Sequence, residues 1–593
     1  MRILLFIMVF SFGVFGSNAQ SEELARNFFD QGEYEKALKT YQQLAKENPG
    51  NPVFFYGMIS SYQQLEDFDS AEDLLREKLE NSANNPNLLI EIGHNFELRK
   101  DTTKAEQFYR EALDAIDARP NFAYGIARGF EKYNLLDEAA DAYEKGMALN
   151  SDQNFHLQLA RIYGEQGKIE EMFENYLGLI EENPNLFPVA NREFGRYISE
   201  DANDEANQTF RKILLKKLQE DPQILYNEML AWLFIQQKEF DKAFAQQKAV
   251  YRRGEAGLQD ILNLGVLAAR AEDSQAAKEI VAYAIEEAPS ENIVLQGKRF
   301  LLDLETKETT TNFRDIEKKY QKLFEEFGLD LNTLDLQLDY ARFLAFKSGE
   351  RSQAIGQLRE LSEKTQSNFD KARVKMLLAD VLVLEEKFNE ALIYYSQVQN
   401  LVKNDAMSQQ ARFNVAKTSY FKGDFKWAKT QLDVLKSSTS QLIANDAMEL
   451  SLLIEDNSIE DTAQVALKEY ARADLMAFQE KNKDAIAILD EILANHKGEK
   501  IEDEVLLKQA ELYEITGDYH KAESNYLEII RLYNSDILAD NANYYLAELY
   551  ADHLDNPERA MEYYEQIIFN FADSIYFIDA RKKYRRLRGD NIE

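Results

Sequence analysis

"GEYEKALKTYQQLAKENPG", Gly32 to Gly50, opens on a glycine turn, runs as one amphipathic helix and closes at a proline. Its apolar stripe, Tyr34, Ala37, Leu38, Tyr41 and Leu44, recurs at steps of three and four residues, the period of a helix with one buried face. A lone helix of this length cannot bury that stripe. A stack of copies can, so spacing at longer range decides the fold.

The copies are present. Ala37, Ala71, Ala105 and Ala139 follow one another at intervals of 34 residues, and four positions after each stand Tyr41, Leu75, Tyr109 and Tyr143. Before each alanine come Leu24-Ala25, Met58-Ile59, Ile92-Gly93 and Ile126-Ala127, each followed by an aromatic: Phe28, Tyr62, Phe96 and Phe130. A fifth unit carries Leu159-Ala160, Tyr163, Met172, Tyr176 and Pro184. Leu264-Gly265, Ala277, Val281, Ala284 and Pro289 form a further unit, 34 residues after Ala243. Later anchors at Ala354, Ala391, Ala428, Ala485, Ala522 and Ala560 are spaced by 37, 37, 57, 37 and 38 residues, and three added residues amount to nearly one helical turn in the same phase.

This pattern resembles the tetratricopeptide repeat (TPR) family, W-x2-L-G-x2-Y, then A-x3-F, then P, over 34 residues of helix-turn-helix. The leading tryptophan is replaced, for example by Ser21 and Phe55. The longer repeats of the second half resemble those of exported Gram-negative cell-envelope TPR proteins. The fold implied is all-α: a right-handed α-solenoid of stacked helix-turn-helix units forming an elongated superhelix. The small residues in the two helices mark where their backbones approach, so bulk there would overpack the crossing.

Composition agrees with a helical array. The 593 residues exceed what one compact core supports, glycine (24) and proline (9) are scarce, and aromatics make up 12%. A net charge of -35 opposes general affinity for nucleic acid or anionic lipid, both of which require a basic footprint. Arg2, the apolar run Ile3 to Phe15 and Ser17-Asn18-Ala19 read as a secretory signal peptide over residues 1–19, and no later segment approaches a membrane span. Cysteine is absent, which excludes disulfides, thiolate metal sites, a cysteine nucleophile and a lipidated N-terminal cysteine. The expected location is exported: periplasmic or peripherally outer-membrane-associated, and not as a lipoprotein.

The expected organisation is a 34-residue TPR array over 20–185, an irregular, degenerate region over 186–330, an array of longer repeats over 331–456, and a C-terminal array with a basic capping helix over 457–593. The repeat pattern falters at Leu186 to Asp221, Glu291 to Asp330 and Ser437 to Asp461, where "ETKETTTN" (Glu305–Asn312), "KSSTS" (Lys436–Ser440) and "EDNSIED" (Glu455–Asp461) read as joints or a lengthened loop. The final segment, "SIYFIDARKKYRRLRGD", reads as a terminal cap ended at Gly589.

No catalytic, cofactor or metal constellation is found. The five histidines, His94, His156, His496, His520 and His553, lack ligand spacing, and the nucleophile-elbow, phosphate-loop and EF-hand patterns are missing. What remains is the concave face. Stepping by the repeat places Tyr56, Ile90, Tyr124 and Leu157 on one track, with Arg26, Ser60, His94, Arg128 and Arg161 beside it. Arginines on one track in so acidic a chain would focus positive potential on an acidic client segment; alternatively they pair with neighbours such as Glu131 and Glu165. The Lys/Asn set by which known TPR grooves clamp a terminal carboxylate is not matched. Arg581, Lys582, Lys583, Arg585, Arg586 and Arg588 form a second candidate surface, read either as complement to the helix dipole or as a basic dock. The expected function is a non-catalytic scaffold or adaptor that binds other proteins of the cell envelope. The alternative is a carbohydrate-binding, small-ligand or enzymatic module within 186–330.

Overall fold

The computed structural model of the chain describes residues 21–589, apart from 83–84, 255–256, 310, 312, 437–440 and 459–463; the side chains of 441–442 are also not described. The expected signal peptide, most of "KSSTS" and the end of "EDNSIED" lie outside the described residues. The described residues form helices joined by turns, with no strand among them.

The chain divides into two compact units, 1–239 and 240–593. In the first, successive pairs run 21–30 with Tyr34–Glu47, Pro52–Gln64 with Phe68–Glu80, Asn87–Leu98 with Thr102–Ala118, Ala123–Lys132 with Leu136–Leu149, and His156–Glu165 with Ile169–Glu182; the short helix Phe187–Phe194 follows, and Glu205–Glu220 packs on both Ile169–Glu182 and Ile224–Gln236, which closes the unit. In the second, Phe240–Arg252 packs on Leu258–Arg270, and paired helices continue to Pro557–Asn570 and the last helix, Phe577–Arg588. Each unit is a solenoid of stacked helix pairs.

The alanine register holds throughout. Every anchor from Ala37 to Ala560 is buried, with at most 2% exposure. At Gly265, in the first helix of its pair, an added Cβ would lie 2.5 Å from Val281 Cγ2, so the close approach read from the small residues is real.

The turn inside each pair is equally regular. Gly32, Glu66, Lys100, Asn134 and Gly167 all take positive φ, each five residues ahead of its anchor, and the same offset recurs at Glu272, Gly349, Glu386, Gly423, Glu480, Gly517 and Asp555. A left-handed residue reverses the chain within a few positions and lets two helices share one stripe. Many second helices then start on an aspartate cap: Asp67, Asp101, Asp273 and Asp424 each accept a backbone N–H three residues on.

The wider spacings have a structural cause. First helices of the early pairs run 10 to 13 residues, whereas Asn368–Leu384 has 17 and Ala406–Phe421 has 16, so the 37-residue repeats do carry longer helices in phase. The 57-residue interval between Ala428 and Ala485 holds an extra helix, Gln441–Asp456, where a joint or lengthened loop was expected. Its polar residues do not interrupt an apolar stripe; Ile443, Ala447 and Ile454 are buried in the core of the second unit. The last helix ends as anticipated, with Gly589 at φ 80° donating its N–H to Arg585 and Arg586 carbonyls.

Candidate protein-binding groove

Tyr56 sits on the second turn of Pro52–Gln64, a helix started by Asn51, whose side chain accepts the Val53 N–H, and by Pro52 at its first position. Around it opens a groove of about 610 Å³, lined among others by Arg26, Phe29, Val53, Tyr56, Ser60 and Lys132, with Glu22 and Asp30 also on its wall. Arg26 comes from the first repeat and Lys132 from the fourth. Stacking of the first helices brings them to one cavity.

Lys132 is the organiser. Its ammonium donates to Glu91 Oε1 at 2.8 Å and to Tyr133 OH at 2.7 Å, and lies over the rings of Tyr56 (5.1 Å) and Tyr133 (4.5 Å). Tyr133 in turn donates to Glu91 Oε2 at 2.5 Å, so the carboxylate, only 6% exposed, is satisfied on both oxygens. His94 stacks on Tyr133 with ring centroids 3.8 Å apart. Burial lowers the His94 pKa, against an opposing pull from Glu97, which keeps the imidazole neutral near pH 7. Burial, with Glu91 adding to it, raises the Tyr56 phenol.

The structure thus places Arg26 and Tyr56 on one groove with Lys132, and Lys132, Glu91 and Tyr133 connect Tyr56 to His94. Tyr124 and Arg128, on the helix that supplies Lys132, lie outside the groove lining. Tyr124 is half exposed and stacks on Phe155, and Arg128 pairs with Glu131 at 2.5 Å, the neutralised alternative. Arg161 is exposed and forms no ion pair among the described residues. Ile90, placed on the track by spacing, is 1% exposed and belongs to the core. Arg26 also forms no ion pair among the described residues, though Glu22 and Asp30 share the groove wall with it.

Sequence spacing missed Lys132 and Glu91. A step of 34 compares equivalent positions, whereas the groove joins the last turn of one helix to earlier turns of others. Lys132, one turn beyond Arg128 on the same helix, was the available signal.

The basic segment at the end of the second unit divides in two. Lys583 is bound to Glu548 (2.6 Å), Asp579 (3.0 Å) and Tyr544 OH (3.0 Å). Arg581 lies over the Phe577 ring and Arg588 over Tyr584. Arg585 stands 38 residues after the fully buried Ala547, the interval that separates Ala522 from Ala560. A cation therefore occupies the position that a fully buried alanine holds one repeat earlier.

A second cavity, about 460 Å³, lies in the second unit between Phe324, Leu331, Tyr340, Leu358 and Lys364. Two of its amides bond within the protein: Gln321 donates to Tyr340 OH and Gln337 to the Asp330 carbonyl. Among the described residues no three His, Asp or Glu side chains are arranged to hold a metal ion, and no helix is long and apolar enough to cross a membrane.

Comparison with known proteins bears on the repeat itself. Residues 28–89 and 541–574 each match a family model described as a tetratricopeptide repeat. The chain carries tetratricopeptide repeats. The two matches fall in different units, and the first includes Phe29, Val53, Tyr56 and Ser60 of the groove. Among solved structures, a chain from "Structure of Naa15/Naa10 bound to HypK-THB" is similar over 97% of both chains at 13% identity, with a TM-score of 0.31. One from "Crystal structure of APC/C hetero-tetramer Cut9-Hcn1" is similar over 95% of both chains at 14% identity, with a TM-score of 0.21. No curated protein matches the sequence.

Proposed function

We propose that this TPR chain is a non-catalytic protein-interaction scaffold of the bacterial cell envelope, and that the groove at Arg26, Tyr56 and Lys132 holds an acidic segment of a client protein. The observation that carries the reading is Arg26, a cation without an ion pair, beside an aromatic and an apolar wall of Phe29 and Val53 in a chain of net charge -35. TPR solenoids present such side chains on stacked helices, where curvature gathers several repeats around one extended ligand. Lys132 is pre-oriented by Glu91 and Tyr133 and contributes ring contacts and a partly shared charge. Arg128 is neutralised by Glu131, so it contributes less than Arg26.

Crosslinked affinity capture from a native envelope fraction tests this reading, with unmodified chain and Arg26→Glu compared at low and high salt. The variant should retain helicity and lose the client, and capture by the unmodified chain should fall as salt rises. Undiminished capture by Arg26→Glu at low salt would place the client elsewhere.

A further inference from the structure

The last helix, Phe577–Arg588, repeats the helix Ala539–Asp552 at an interval of 38 residues, with Ala542 and Ala580 fully buried at equivalent places. On Ala539–Asp552 the neighbouring positions are covered: Asn543 is 3%, Ala547 0% and Tyr550 2% exposed, and Tyr550 stacks on Tyr563 of the second helix of its pair, Pro557–Asn570. Their equivalents on the last helix are Arg581, Arg585 and Arg588. A side of the helix that receives a neighbour one repeat earlier thus carries cations, and Arg581, Lys582 and Arg586 are exposed. The helix holds six cations against Asp579, and Asp590 and Glu593 further along the chain do not balance them. Lys583 alone is taken up by Glu548 and Asp579.

A charged cap does not account for this end of the unit. The three most exposed large apolar side chains among the described residues lie here: Ile575 at 81%, Phe569 at 75% and Ile578 at 74%. They stand in the last turn of Pro557–Asn570, the connection and the first turn of Phe577–Arg588, and helical spacing puts Ile578, Arg581, Lys582 and Arg585 on one face. A cap that only solvates the end of a solenoid has a polar outer face, whereas apolar side chains rimmed by charge mark an interaction surface.

We propose that this face docks an acidic amphipathic helix of a partner protein, laid along Phe577–Arg588 as Pro557–Asn570 lies along Ala539–Asp552. The repeat supplies the shape of the occupant, and the side chains supply its charge. Arg585 in place of Ala547 forbids the close crossing made by a second helix with an alanine anchor such as Ala560. A helix that turns Asp or Glu toward Arg581, Lys582 and Arg585 keeps the distance an arginine needs and meets it with opposite charge. Its apolar residues cover Ile575 and Ile578. An anionic bilayer would face the net charge of -35 as well as this basic side.

The test uses the full chain and a fluorescein-labelled helical peptide with leucine on one side and glutamate on the other, compared with its lysine-for-glutamate counterpart by fluorescence anisotropy. The glutamate peptide should bind, more weakly as salt rises, and the lysine peptide should not. Zero-length carbodiimide coupling, mapped by mass spectrometry, should join the glutamate peptide to Lys582. Arg581→Glu/Lys582→Glu should weaken binding about tenfold or more and Ile575→Ser/Ile578→Ser about threefold or more, while Lys483→Glu/Lys497→Glu, an equal charge reversal at exposed positions of the same unit, should change it less than about twofold. If one double variant loses helicity, the coupling map and the other variant decide. Arg26→Glu should leave this binding within about twofold, so that the first-unit reading and this one fail separately. Coupling spread over the lysines of the chain, equal losses in the basic-face and control variants, or loss of binding by Arg26→Glu would overturn the proposal. So would tighter binding to phosphatidylglycerol vesicles than to the peptide, which would make the face a membrane contact. Self-association of the chain that Arg581→Glu/Lys582→Glu abolishes would overturn it too, by making the occupant a second copy.

Discussion

Tyr143 donates its hydroxyl to Glu131 Oε1 at 2.7 Å, from the second helix of a repeat to the end of the first. One repeat earlier Tyr109 makes the same bond to Glu97, also at 2.7 Å, and Tyr526 reaches Glu514 in the second unit. The repeat's aromatic position therefore locks the pair as well as filling it. Tyr143→Phe should lower stability by about 1–2 kcal/mol, because a buried bond to a charged acceptor is lost. Tyr124→Phe, at a half-exposed ring, should stay within about 0.5 kcal/mol in the same urea titration. Glu131 serves both Tyr143 and Arg128, so Glu131→Gln should not be silent.

The left-handed turn offers a test with opposite signs. Lys100 holds φ 63° on the surface, so Lys100→Gly should stabilise by about 0.5–1 kcal/mol through relief of backbone strain. Gly32 holds φ 77° with open space around a would-be Cβ, so Gly32→Ala should destabilise by about 1 kcal/mol through the backbone alone. Thermal melting of both variants against the parent checks the pair.

Overpacking tests the register. Ala139 has no exposed surface, and Ala139→Leu should cost about 1–3 kcal/mol, whereas the exposed Glu106→Gln should change stability by less than about 0.5 kcal/mol. Equal tolerance in denaturant midpoints would contradict the stacking described.

Asp380 gives a pH dependence. Tyr395 donates to its Oδ1 at 2.6 Å, but burial dominates and pushes the carboxyl up to about 6 from 3.8. The folded chain thus holds this proton where the unfolded chain has released it. The contribution is present below about pH 4 and is lost as pH rises to about 6. Asp380→Asn removes that slope and should gain about 1–3 kcal/mol relative to the parent between pH 4 and 6.5, read from unfolding titrations across that range.

In the C-terminal helix, Lys583→Met should cost about 1–2 kcal/mol by leaving Glu548 and Asp579 without their shared ammonium. Lys582→Met, on the exposed side, should shift the melting midpoint negligibly.

The spacing of Ala37, Ala71, Ala105 and Ala139 was enough to establish helix pairs, their register and their buried faces. Periodicity reports local contacts, because adjacent repeats meet at equivalent positions, and those contacts depend on residue size and helix phase alone. The turn conformation was legible at Gly32 but not at Glu66 or Lys100, where stacking on both sides holds an unfavourable φ that residue type does not announce. The extra helix Gln441–Asp456 was hidden for a similar reason: its short apolar face is completed by a core supplied from other repeats. The groove lay furthest from view. Arg26, Tyr56 and His94 could be named from their repeat positions, but the sharing of one groove by Arg26, Tyr56 and Lys132, and the link from Lys132 through Glu91 and Tyr133 to His94, depend on how successive first helices stack. Sequence by itself determined the repeating unit, since that rests on contacts between neighbours. Only the tertiary structure decided which charges are paired and which remain available, because ion pairing is set by distances between side chains several helices apart.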